Sequence, residues 1–178
     1  REVDEVVVAT SIDPSDDQLV SFCEGSGIEF HRGSLSNVLS RYTEILEKKQ
    51  HDHFVRITGD CPLIDPDFID LQLQALRSKS ADFVWLSSPV PVLCGQGAHS
   101  SRSLFRVASA SSNPDDLEHV GSRYFSTHPD EFKIVGLNPP QELASENWRV
   151  TIDEPVDYLL MQELYKSLWE DNGYIALN

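Results

Sequence analysis

The amino-acid sequence predicts an α/β fold, a doubly wound and mostly parallel (mixed) sheet, from three observations. Short apolar runs alternate with amphipathic segments of about 10 to 15 residues, the rhythm of parallel strands joined by right-handed helical crossovers. Prolines open predicted helices at Pro14, Pro66 and Pro155, where a missing N–H costs nothing. The 178 residues, 40% hydrophobic and 24% charged, suffice for one domain with a core that needs no staples.

The elements follow in order. Val3 to Thr10, apolar apart from Asp4, Glu5 and the closing Thr10, reads as a strand covered on both faces. Asp13-Pro14-Ser15 starts a helix with Leu19, Phe22 and Cys23 inward, closed by Gly25 and Gly27. Ile28 to His31 is a second strand. Gly33-Ser34 introduces a helix whose inner face reads Leu35, Val38, Leu39, Tyr42, Ile45 and Leu46. Phe54 to Ile57 is the third strand, and Asp65 caps a helix that begins at Pro66 and buries Ile69, Leu73 and Leu76. Ala81 to Leu86 is a further strand, after which Ser87 to Ser101 has no period and reads as an excursion from the sheet. Leu117, Val120, Gly121 and Tyr124 mark another helix. Lys133 to Val135 and Trp148 to Ile152 are strands, and a last helix from Pro155 turns Val156, Leu159, Leu160, Leu164 and Leu168 inward. No internal repeat or linker divides the chain, so residues 1–178 form one module.

Twenty-nine acids against fourteen bases leave a net charge of −15, a field that repels nucleic-acid backbones and anionic membrane surfaces. A small phosphorylated ligand stays compatible with it, because a divalent cation on carboxylates reverses the local sign. No apolar run approaches the length of a membrane span, and no signal pattern stands at the start. Three cysteines without paired spacing, Cys23, Cys61 and Cys94, fit a reducing cytoplasmic setting.

In open α/β sheets, ligands bind beyond the carboxyl ends of the strands. Polar groups just after strands are therefore candidates: Thr10-Ser11, Thr58-Gly59-Asp60 and Asp153-Glu154. Asp60 and Asp153 lie far apart in sequence but at matching places, each ending a strand before a proline-started helix. Two converging carboxylates repel unless a cation sits between them, and oxygen ligands suit Mg²⁺ when phosphates complete its shell. The competing role for such an Asp is a helix cap; Asp65 already fills it for the Pro66 helix, which leaves Asp60 another use. His51-Asp52-His53 reads as a surface loop.

The loop Thr58-Gly59-Asp60-Cys61-Pro62-Leu63-Ile64-Asp65-Pro66 carries the strongest signal. With Val6-Val7-Val8-Ala9-Thr10-Ser11, Phe30-His31-Arg32-Gly33-Ser34 followed by Asn37-Val38-Leu39, and Thr151-Ile152-Asp153-Glu154-Pro155, it resembles the cytidylyltransferase family related to the acylneuraminate and KDO cytidylyltransferases. The blocks keep the family's order and spacing from residue 3 to about residue 168. The resemblance implies a Rossmann-like nucleotide-diphospho-sugar transferase architecture. It implies that a sugar hydroxyl attacks the α-phosphate of a nucleoside triphosphate, usually CTP, giving a nucleotide-sugar and pyrophosphate for surface polysaccharide synthesis. By position it makes Asp60 and Asp153 the catalytic Mg²⁺ ligands. It sets Ala9, Thr10, Ser11, Arg32, Gly33, Val38, Leu39, Thr58 and Gly59 along the nucleotide, and Glu118, His119 and Arg123 near the acceptor sugar, His119 and Arg123 sharing a helix face. Family members often pair through the excursion, so the resemblance also implies a homodimer.

Three departures accompany the likeness. The family's leading strand and Arg/Gly/Lys loop, which cradles the triphosphate, is not seen ahead of Val3, so the chain is expected to be a fragment, a degenerate copy or a protein completed by a partner. Leu93 to Ser100 lacks the family's acidic residues in the acceptor region. Ser40 stands where an Asp often precedes the arginine equivalent to Arg41. Two rival readings remain open: a glycosyltransferase using Asp65-Pro66-Asp67 as a metal motif, and a non-catalytic binding or assembly module.

Overall fold

The computed structural model describes residues 2–86, 97–138 and 150–169. Among them run β1 (Val8–Ser11), α1 (Asp17–Ser26), β2 (Phe30–Gly33), α2 (Val38–Lys49), β3 (His53–Val55), α3 (Pro66–Ser78) and β4 (Phe83–Leu86). Then come β5 (Ala98–Ser100), α4 (Ser101–Ala110), α5 (Pro114–Glu118), α6 (Ser122–Thr127), β6 (Ile134–Leu137) and α7 (Pro155–Leu168). The predicted α/β alternation is present from β1 to β4. β1 begins only at Val8, where β2 accompanies it, and Val3 and Val6 of the expected strand are exposed; β2 lies two residues later than expected and β6 runs on to Leu137.

The strands form two ladders. β1 pairs with β2 in parallel, Val8 opposite Phe30 and Ser11 opposite Gly33. The second has the order β3-β5-β4-β6. In it β5 runs antiparallel to both β3 and β4, while β4 and β6 are parallel. Strands β3, β4 and β6 therefore point one way and β5 alone points back, which is the mostly parallel, mixed sheet expected. β5 lies at the end of the predicted excursion, whose residues 87–96, like 139–149, fall outside the described residues.

Helix α2 bridges the ladders. Its Leu39 and Leu46 are buried in one cluster with Phe83 of β4, Leu104 and Val107 of α4, and Phe125 of α6, with Phe54 of β3 packed on the rim. Asn37 starts this helix by accepting from the Ser40 N–H at 2.9 Å. On the other face α3 buries Ile69, Leu73 and Leu76 against Val84 and Ala98, as the spacing predicted. Asp65 caps it, accepting from the N–H groups of Asp67 and Phe68.

Four expectations about helices are corrected. Leu35, expected on the inner face of α2, lies ahead of that helix and is exposed. In α1 the buried residues are Val20 and Cys23, while Leu19 and Phe22 face solvent. In α7 the buried residue is Met161, which packs on Leu63 beside Ile152, Leu164 and Tyr165; Val156, Leu159, Leu160 and Leu168 point outward. The helix around residues 117–124 is two helices, broken where Val120 (φ 55) and Gly121 (φ 78) adopt the left-handed conformation. Gly121 is required there, since a Cβ would stand 2.7 Å from Val107 Cγ1.

Candidate active site

Thr58 to Cys61 closes a turn after β3, with the Cys61 N–H donating to the Thr58 carbonyl at 3.1 Å and the Thr58 hydroxyl donating to Cys61 Sγ at 3.2 Å. Gly59 and Asp60 at its tip are exposed, and nothing lies within 4 Å of where a Gly59 Cβ would be. The Asp60 carbonyl accepts the Ile152 N–H at 2.8 Å. That bond joins segments more than ninety residues apart and sets Asp153, the next residue, beside the Asp60 turn. Tyr165 of α7 fastens the same junction, its hydroxyl donating to the Pro62 carbonyl at 2.7 Å.

Neither acid is used as a cap. Asp65 caps α3, and Glu154 is the N-cap of α7, with the Asp157 carboxylate accepting from the N–H groups of Asp153 and Glu154 at 3.0 and 2.8 Å. The Asp153 carboxylate accepts from the Thr151 hydroxyl at 2.7 Å and is exposed. Among the described residues no three His, Cys, Asp or Glu side chains gather as a metal cage. Asp60 and Asp153 thus present two exposed carboxylates, a side-chain type that would fit a hard cation whose remaining positions come from phosphate oxygens. Asp65-Pro66-Asp67 is a helix start, which argues against its use as a glycosyltransferase metal motif.

The second group surrounds the end of β1. Thr10 and Ser11 are buried, and both hydroxyls donate to Asp16 Oδ2, at 2.8 and 2.6 Å. Arg32 on β2 donates to the Ser11 carbonyl at 2.8 Å and to Asp13 and Asp17. Arg41, buried in α2, donates to the Ala9, Ser34 and Leu35 carbonyls. Gly33 is needed for this packing, because a Cβ would meet Arg41 Cγ at 2.9 Å. Val38 and Leu39 belong to the hydrophobic core, which they share with Leu117 and Val120, and this brings the start of α2 close to the Glu118-His119 turn. Glu118 and His119 are exposed. His119 ends α5 and Arg123 belongs to α6, so the two do not share one helix face; Arg123 instead faces the buried Asp116 at 3.5 Å.

Asp16 and Arg41 organise this rim; Asp16 was not singled out from sequence, and Arg41 was noted there only as the family arginine after Ser40, with no contact assigned to it. Both act on backbone or neighbouring hydroxyls, and such contacts leave no periodicity to read. Asp16 is held at about 2, well below the usual carboxylate range, chiefly by hydrogen bonds from Ser11 and then Thr10. A cavity of about 680 Å³ lies elsewhere, at the far end of α2, lined by residues including Leu46, His51, Arg102 and Phe105. None of the predicted site residues reaches it.

The sequence model of the family described as cytidylyltransferase matches residues 1–165. The chain is 27% identical over 170 residues to the spore coat polysaccharide biosynthesis protein SpsF of Bacillus subtilis, covering 96% of this chain and 70% of that one. It superposes on a cytidylyltransferase from Leptospira borgpetersenii with a TM-score of 0.83 at 25% identity, covering 93% of this chain and 70% of the other. It also shares the fold of a CMP:2-keto-3-deoxy-manno-octonic acid synthetase solved with CTP, at a TM-score of 0.61 and 17% identity, over 91% of this chain and 83% of that one. Among the described residues no helix is long and apolar enough to cross a membrane.

Proposed function

This chain belongs to the cytidylyltransferase family, and from that premise we propose that it activates a sugar with CTP, supplying a nucleotide-sugar for polysaccharide synthesis. In the reaction a sugar hydroxyl oxygen forms a bond to the α-phosphorus, the bond from that phosphorus to the bridging oxygen breaks, and pyrophosphate departs with the electron pair. The hydroxyl proton passes to solvent. The observation that carries the reading is the Ile152 N–H to Asp60 carbonyl bond of 2.8 Å, which brings the Asp60 and Asp153 loops together at the exit of β3.

Asp60 and Asp153 are the residues that would hold Mg²⁺. When bound, the ion would neutralise phosphate charge and polarise the α-phosphate. The chain's own contribution is mainly alignment, since phosphoryl-type transfer requires position more than covalent help. The rim of Ala9, Thr10, Ser11, Arg32 and Gly33 would border the nucleotide, and Glu118 and His119 the acceptor. The SpsF relative, named for spore coat polysaccharide biosynthesis, supports a sugar as acceptor.

The test is pyrophosphate release by the chain with CTP, Mg²⁺ and a panel of sugars, alongside Asp60→Asn and Asp153→Asn. Each substitution is expected to lower the rate by at least a hundredfold while the circular dichroism spectrum is unchanged. Wild-type rates in both variants would remove the metal-ligand assignment, and nucleotide binding with no turnover for any sugar would favour the binding-module reading.

A further inference from the structure

The end of β1 is fixed from outside the strand. One oxygen of Asp16, Oδ2, accepts three hydrogen bonds: from the Thr10 hydroxyl at 2.8 Å, the Ser11 N–H at 2.9 Å and the Ser11 hydroxyl at 2.6 Å. The Ser11 hydroxyl in turn accepts from the Asp13 N–H at 3.1 Å. Three convergent bonds fix both side-chain rotamers and the Ser11 peptide plane together. Both hydroxyl protons are thereby spent inside the protein, although Thr10 and Ser11 are the residue types that sequence alone would choose as ligand donors.

We propose that Asp16 is a positioning residue for the nucleotide site: it locks the Thr10-Ser11 wall of the crevice in a preformed shape, and those two hydroxyls do not donate to the ligand. The inference rests on the nucleotide-binding reading above and names a residue that reading does not use. Its physical content is preorganisation, in which a wall fixed before binding spares the ligand the ordering cost.

Electrostatics alone predicts the opposite sign. Asp16 is an anion near a site for a polyanion, so removing its charge should tighten the binding of CTP if charge were its only role. A lock predicts that removal weakens it. Asp16→Asn, Asp16→Ala and Asp16→Glu of the full chain are titrated with CTP and MgCl₂ by calorimetry, and amide exchange at Ser11 is followed without ligand. Asp16→Ala is expected to bind CTP at least tenfold more weakly, Asp16→Asn to fall between it and wild type, and Asp16→Glu, which keeps the charge but displaces the oxygen, to resemble Asp16→Asn. Exchange of the Ser11 N–H is expected to quicken at least tenfold in Asp16→Ala while that of Val84 in the core is unchanged. Equal or tighter CTP binding by both Asp16→Ala and Asp16→Asn overturns the proposal. If the wild-type chain does not bind CTP, the nucleotide reading fails by itself, and unchanged Ser11 exchange in Asp16→Asn then overturns the lock.

Discussion

His99 makes the stability of this protein depend on pH between about 6.5 and about 3. The residue is 4% exposed on β5, stacked against Phe83 at 4.4 Å and Phe54 at 5.0 Å, with Phe125 at 5.4 Å. Its Nδ1 has no hydrogen-bond partner among the described residues. Burial, with a smaller contribution from the Arg56 charge, pushes the imidazole down from 6.5 to about 3. The folded protein thus refuses a proton that the unfolded chain accepts. The stability is fully present above 6.5, falls as the pH drops toward about 3, and levels off below that. At pH 5 the loss is about 2 kcal/mol, from a limiting slope of roughly 1.4 kcal/mol per pH unit. Urea unfolding of wild type and His99→Phe at pH 7.5 and pH 5 measures it. Wild type is expected to lose about 2 kcal/mol more than the variant across that interval. His53, whose pKa burial also lowers, is present in both proteins and cancels in the difference. Equal losses in the two proteins would show that the imidazole is hydrated or protonated in the fold.

Three further perturbations address the fold around the site. Gly121→Ala combines a left-handed backbone with a Cβ 2.7 Å from Val107 Cγ1, and is expected to cost about 2–4 kcal/mol by thermal or urea unfolding. Asp116→Ala deprives the Tyr124 N–H and the Ser111 hydroxyl of an acceptor buried at 0% exposure, and should cost about 2–3 kcal/mol; a cost under half of that would mean water enters the vacated space. Asp65→Ala removes the cap of α3 and is expected to lower stability by about 1 kcal/mol, read from the urea midpoint at constant slope.

Where a local rule governs, the sequence was legible. The apolar stripe of α3, that of α2 from Val38 to Leu46, and the Asp65-Pro66 start survive folding because helical period and capping are properties of a few neighbouring residues. The stripe of α7 misled for the opposite reason. Its apolar residues occupy more than one face, and the loop at Leu63 selected Met161 rather than Leu159 or Leu160. β5 escaped because three residues with a histidine at the centre give no period, and His99 is buried by aromatic rings drawn from three other elements.

From the sequence by itself came the α/β class, the family likeness and the idea that Asp60 is not a cap, since each depends on residue type and short-range order. Tertiary structure alone decided that the Ile152 N–H reaches the Asp60 carbonyl, that the Thr10 and Ser11 hydroxyls turn inward to Asp16, and that Arg41 holds the Ala9 carbonyl. Hydrogen bonds between residues distant in the chain depend on where the core places their backbones, and a one-dimensional pattern does not record the direction in which a donor points.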